Sequence, residues 1–110
     1  MNPQMETLIR GIKALSPHEI RAEEETFFEC VIGRRKLEEG LAEALQAYFG
    51  PPLKPLGKDA GPEAKKKAEA HGGVRKDQIM YWKEYPEGYN ACLIWPWSDG
   101  ATLTVKIFRS

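Results

Sequence analysis

The sequence predicts an α+β fold: a four-stranded antiparallel sheet in chain order β-α-β-β-β, one main amphipathic helix across one face, and short helices at the N-terminus and in the crossover. Three observations carry this. Residues 78–109 read as three strand-like runs, QIMYWKEY, YNACLIWPW and TLTVKIFR, joined by the short turns PEG and SDGA. Residues 26–33, TFFECVIG, form a fourth run rich in β-branched and aromatic side chains. Between them, Leu37, Leu41, Leu45, Tyr48 and Phe49 recur at helical spacing.

At the N-terminus, Met5, Leu8, Ile9, Ile12 and Leu15 make an apolar stripe on a short helix. Asn2 and Pro3 suit its cap and first turn. Ser16-Pro17 ends it, because a residue preceding proline is pushed out of the helical region. The stretch HEIRAEEE that follows reads as a solvated acidic run, in which Pro17 starts at most a further helical turn.

In the strand at 26–33, Phe28, Cys30 and Ile32 share one face, and Phe27, Glu29 and Val31 the other. The first set is assigned to the core, which lets Glu29 escape burial. The helix at 36–49 stops at Gly50-Pro51-Pro52. Its five large apolar side chains, at ~2 kcal/mol each, contribute on the order of 10 kcal/mol before conformational entropy is subtracted. Residues 50–61 carry Pro51, Pro52 and Pro55 and read as a stiff, extended connection. Pro62 opens a short surface helix that Gly72-Gly73 stops.

The turns predict the register. Asp99-Gly100 suits a two-residue hairpin loop, so Trp95 faces Thr104, Ile94 faces Val105 and Cys92 faces Ile107. Pro86-Glu87-Gly88 suits a three-residue loop with Gly88 left-handed, so Tyr85 faces Tyr89, Lys83 faces Ala91 and Tyr81 faces Leu93. On this register Met80, Trp82, Cys92, Ile94, Leu103, Val105 and Ile107 form the core face. Tyr81, Lys83, Tyr85, Tyr89, Trp95, Trp97 and Phe108 share the opposite, aromatic face.

The totals exclude several functions. A chain of 110 residues is one domain. With 16 basic and 16 acidic residues it has no overall pull toward nucleic acid or membrane. Two cysteines, each inside a strand, suggest buried thiols in a reducing compartment. The first residues show neither a basic start nor an apolar core, so no signal peptide is expected, and no apolar run reaches the ~20 residues of a membrane helix. The expected location is the cytoplasm.

No catalytic constellation is visible. Cys30 and Cys92 fall on core faces, the only histidines are His18 and His71, and nothing sets a nucleophile beside a base. There is no CxxC, HxxxH or HExxH, so no metal or other cofactor is expected. Gly57-Lys58 lacks the spacing and the following hydroxyl of a phosphate loop.

Two features remain. From Lys54 to Lys83 eight cations stand against four acids, whereas residues 1–53 hold six against nine. Lys65, Lys66, Arg75 and Lys76, set beside Tyr81, Tyr85 and Trp95, would make a charged stacking surface for single-stranded RNA or DNA. The aromatic face itself has three candidate occupants: the N-terminal helix, a second copy of the chain, or a ligand. The expectation is a small self-associating interaction module and not an enzyme. Its partner is a homodimer mate or another protein, with single-strand binding as the alternative.

Overall fold

The computed structural model describes residues 3–109. Asn2, the expected helix cap, lies outside them. In chain order the elements are α1 (Pro3–Lys13), β1 (Glu19–Glu23), β2 (Phe27–Gly33), a π-helical turn (Leu37–Leu41) running into α2 (Ala42–Phe49), α3 (Pro62–Ala68) with a 3₁₀ turn (Glu69–His71), β3 (Ile79–Tyr85), β4 (Gly88–Pro96) and β5 (Thr102–Arg109). The class is α+β, but the sheet has five strands, in the order β1-β2-β5-β4-β3, with every neighbouring pair antiparallel.

The fifth strand is β1, within the stretch expected to be a polar run or helical turn. It lies at the sheet edge, paired with β2 through Glu19↔Val31 and Ile20↔Cys30, with a register shift between Ile20 and Ala22. Four of its five residues are exposed. Its polar composition therefore hides a strand held by backbone pairing and by the ion pairs of Arg21 and Glu23, and a short, charged, bulged edge resists pairing with other chains. The strand at 27–33, whose place in the sheet its own residues do not set, sits between β1 and β5.

The β4–β5 register is the expected one: Cys92↔Ile107, Ile94↔Val105 and Trp95↔Thr104. The loop is longer than expected. Trp97 N–H donates to Thr102 C=O, and Asp99 accepts from the amides of Ala101 and Thr102 and from the Thr102 hydroxyl. Only Gly100 takes a positive φ there. These bonds, the Ala101 amide foremost, hold the Asp99 carboxyl below its ordinary range.

The β3–β4 register differs by one residue. Tyr85 pairs with Gly88, Lys83 with Asn90, Tyr81 with Cys92 and Ile79 with Ile94. The loop is Pro86-Glu87 alone, and Gly88 is not left-handed but the first residue of β4. Since side chains alternate, this slip moves every β3 residue to the face opposite the expected one. Ile79, Tyr81, Lys83 and Tyr85 take the inner face; Met80 and Trp82 take the outer.

The inner face carries the core. Rows run Cys30–Val105–Ile94–Ile79 and Phe28–Ile107–Cys92–Tyr81 across the sheet. Met5, Leu8, Ile9 and Ile12 of α1 join Leu41, Leu45, Tyr48 and Phe49 in the same apolar cluster. The N-terminal helix thus packs beside α2 on the inner face, and it is not the cover of the aromatic side. Cys30 and Cys92 are buried free thiols. With β5 between them at ~4.8 Å per strand, their backbones stand beyond disulfide reach. Burial pushes the Cys30 thiol up to about 12 and raises Cys92 as well, so neither is a ready nucleophile.

The main helix is not one continuous α-helix from residue 36. Gly40 stands at φ 150°, and a Cβ placed on it would meet Leu15 Cδ2 at 3.1 Å. Glycine is needed both for the conformation and for the close approach of Leu15. Gly40→Ala is expected to lower stability by about 1–3 kcal/mol, readable in thermal unfolding.

Candidate functional site

The outer face of the sheet is built from alternate residues of five strands. One row runs Phe27–Phe108–Ala91–Trp82, the next Glu29–Lys106–Leu93–Met80, the next Val31–Thr104–Trp95. The crossover between α2 and β3 lies over the β3–β4 side. Ala68, Met80 and Leu93 form a small buried cluster there, with Leu53, Val74, Trp82, Trp95 and Phe108 packed around it.

Lys67 and His71 hold this crossover segment to the sheet. The Lys67 ammonium lies 2.8 Å from Glu84 and 5.0 Å from the centroid of the Trp82 ring. Its hydrogen bond to Glu84 raises the pKa of Lys67 and lowers that of the acid. His71 Nε2 is 2.8 Å from the Tyr89 hydroxyl, and its ring lies 4.1 Å from that of Phe108. Tyr89 stacks on Trp82 at 4.1 Å, and Phe108 meets Phe27 at 5.2 Å. Five aromatic rings therefore run in contact from β3 to β2, with His71 as the member the crossover supplies. A hollow of about 450 Å³ opens beside them, lined by Thr26, Phe27, His71, Tyr89, Phe108 and Arg109.

Burial lowers the pKa of His71 from 6.5. The unfolded chain then binds more protons than the native one just below that value, so stability is complete above pH ~6.5 and falls as the pH drops through the folded pKa. His71→Phe is expected to flatten the dependence of stability on pH between about 7 and 5, measured by denaturant unfolding at a series of pH values.

Toward β1 and β2 the outer face is charged and aromatic. The Lys106 ammonium lies 4.7 Å from the Trp95 ring centroid, and the Arg21 guanidinium 5.6 Å from that of Trp97. Glu29 stands between the two cations, 3.7 Å from Arg21 and 4.0 Å from Lys106. The Trp97 indole N–H donates to Thr104 Oγ1 at 2.7 Å, fixing the ring while leaving 40% of the residue exposed. Val31 is buried in this region yet belongs to neither apolar cluster.

Of the residues predicted from sequence, Tyr89, Trp95 and Trp97 stand on this face. Tyr81, Lys83 and Tyr85 do not. Tyr81 is buried in the core against Phe49, and Tyr85 shares its hydroxyl with Tyr48 and Asn90. Lys83 donates to the Tyr48 carbonyl at 3.2 Å and lies over that ring. The reason is the one-residue shorter turn. Lys65 and Lys66 are exposed on α3; Arg75, beside Asp77, and Lys76 are exposed before β3. The structure brings none of these four onto Tyr81 or Tyr85.

Sequence reasoning nominated none of Arg21, Glu29, Lys106, His71 and Lys54 as site residues. Alternation did place Glu29 and Lys106 on the outer face, without showing that they pair there. Arg21 depends on an unexpected strand, and His71 on a long-range return of the crossover. Lys54 is the least expected: 1% exposed, its ammonium donating to the carbonyls of Lys76 and Gln78, its backbone paired with Met80.

The fold and this face define a class: an open antiparallel sheet with α1 and α2 on one side and, on the other, an aromatic, ion-paired surface that α3 covers only over β3 and β4. Comparison with protein-family models, with curated proteins and with solved structures finds no match. Among the described residues no helix is long and apolar enough to cross a membrane, and no group of His, Cys, Asp or Glu is placed to hold a metal ion.

Proposed function

We propose that the protein is an interaction module that self-associates through the outer face of its sheet, around Trp95, Trp97, Arg21, Glu29 and Lys106. The observation that carries this is Trp97: a tryptophan held in place by Thr104, exposed, with Arg21 over its ring and Glu29 and then Lys106 linked to that arginine in turn. Oriented tryptophan and arginine at the centre of a patch are the usual anchors of protein interfaces. The ion pairs leave no single sign of charge on the face. That mixture suits a self-complementary surface, since a two-fold pairing brings the cations and the acid of one copy against those of the other. It does not suit a polyanion, and the separation of Tyr81 and Tyr85 from Trp95 takes away the stacking row the single-strand reading needed.

Sedimentation equilibrium over a wide concentration range tests this. A monomer–dimer equilibrium is expected, weakened on the order of 100-fold by Trp97→Ser, because the substitution occurs once in each half of a two-fold interface. Lys65→Glu with Lys66→Glu is expected to leave it unchanged. A chain that stays monomeric at the highest concentration and binds labelled single strands at low salt would overturn this reading in favour of nucleic acid.

A further inference from the structure

We infer that residues 58–75, with α3 at their centre, are a detachable cover that regulates this docking face: closed, it hides the half of the face over β3 and β4; open, it completes it. The inference rests on the self-association reading for what the opened face binds, but the cover stands on its own geometry.

The segment is closed at its base and weakly held above it. At the base, Lys54 and Met80 exchange both backbone hydrogen bonds, at 3.1 and 3.0 Å, and Gly57 N–H donates to the Lys76 carbonyl at 3.0 Å. The Lys54 ammonium, buried, ties the carbonyls of Lys76 and Gln78 to the same point. The chain on either side of 58–75 is therefore anchored to β3 whether the cover is seated or not. Above the base, α3 has seven residues and turns only Ala64 and Ala68 inward. Its other holds are the Lys67–Glu84 ion pair, Lys67 over the Trp82 ring, the packing of Ala68 and Val74 with Met80 and Leu93, and the contacts of His71 with Tyr89 and Phe108. At the exit, Gly72 and Gly73 both take left-handed φ, 90° and 86°, and a Cβ on either would touch nothing within 4 Å. These two glycines make a sharp turn with open space around it, and local opening of weakly packed segments costs less than global unfolding.

What lies beneath matches what a docking face lacks. Five strands at ~4.8 Å and seven residues at ~3.3 Å make a face of roughly 24 by 23 Å, and the part near β1, β2 and β5 is about half of it. By this projection the whole face is about 550 Å² and the uncovered part about half of that, against roughly 800 Å² of accessible surface per partner in a standard interface, so uncovering the rest moves the face toward that size. Lifting the cover adds Met80, Leu93, Trp82, Tyr89 and Phe108, an aromatic platform continuous with Trp95.

Native-state hydrogen exchange followed by NMR decides whether the cover opens. The amides of Lys65 and Gly73, bonded to Gly61 and Ala68 carbonyls, are expected to exchange at least about 100-fold faster than those of Met80, Ile94 and Val105. Equal protection at all five sites would overturn the inference and leave the docking face untouched. Ala68→Glu, which places a charge under α3, is expected to leave the exchange of Ile94 and Val105 near native and to tighten self-association about 10-fold. Dimerisation no tighter than native, with Trp97→Ser still disrupting it, would overturn the regulatory role alone. The absence of association in native and variant chains would overturn the docking face, and with it this role for the cover.

Discussion

Tyr81→Ala lowers the unfolding free energy by about 3–5 kcal/mol, whereas Trp82→Ala, one residue on, costs less than half as much. Tyr81 is 2% exposed, faces Cys92 across the sheet and meets Phe49 at 5.7 Å between ring centroids. Its phenol also hydrogen-bonds Gln46, and burial raises its pKa. Removing it opens a cavity at the centre of the core. Trp82 is half-buried and stacks on Tyr89, so truncation there leaves water free to fill the space. Guanidinium unfolding of the two variants measures the difference. The reverse order, with Trp82 the costlier, would restore the three-residue loop and exchange the faces of β3.

Lys54→Ala is expected to be the other severe change, costing about 3 kcal/mol. Removing the side chain leaves the buried Gln78 carbonyl without its donor, at about 1–3 kcal/mol, and a space where the buried stem lay, while the Lys76 carbonyl keeps the Gly57 amide. Release of a desolvated charge offsets part of this; burial already lowers the pKa of Lys54. Lys54→Met, which keeps the volume and not the donors, is expected to fall between the alanine variant and the native chain. Both variants should speed amide exchange at Met80, where the crossover joins the sheet, more than at Val105. Uniform acceleration would mean that Lys54 stabilises the domain as a whole and not this junction.

The register shows how far local reasoning reaches. Expecting a two-residue loop between β4 and β5 placed Cys92, Ile94, Leu103, Val105 and Ile107 correctly, although the loop spans four residues. The two lengths differ by an even number, so the faces are unchanged. Between β3 and β4 the expected three residues became two, an odd difference, and every face inverted. The composition of β3 offered no correction. IMYWKEY has large side chains at successive positions, so either face reads as apolar. Pro86 favours a tight turn with ordinary negative φ, and that preference outweighed the left-handed habit of Gly88.

β1 and the crossover were beyond reach for another reason. An edge strand whose residues face water has no periodic signature, and Ile20, exposed at 41%, gives no sign of a buried face. α3 carries two inward alanines, too little apolar surface to declare where it docks.

By itself the sequence determined the α+β class, the strands at 26–33 and 78–109, the pairing of β4 with β5, and the helical stripe from Leu37 to Phe49. These depend on turn chemistry, alternation and helical spacing, all set within a few residues of one another. Only the tertiary structure decided which side of the sheet each aromatic of β3 takes, that α1 lies beside α2, and that the crossover returns to set His71 on Phe108 and Lys54 beneath β3. Those outcomes come from contacts between residues far apart in the chain, where burying shared apolar area and pairing buried polar groups outweigh local preference.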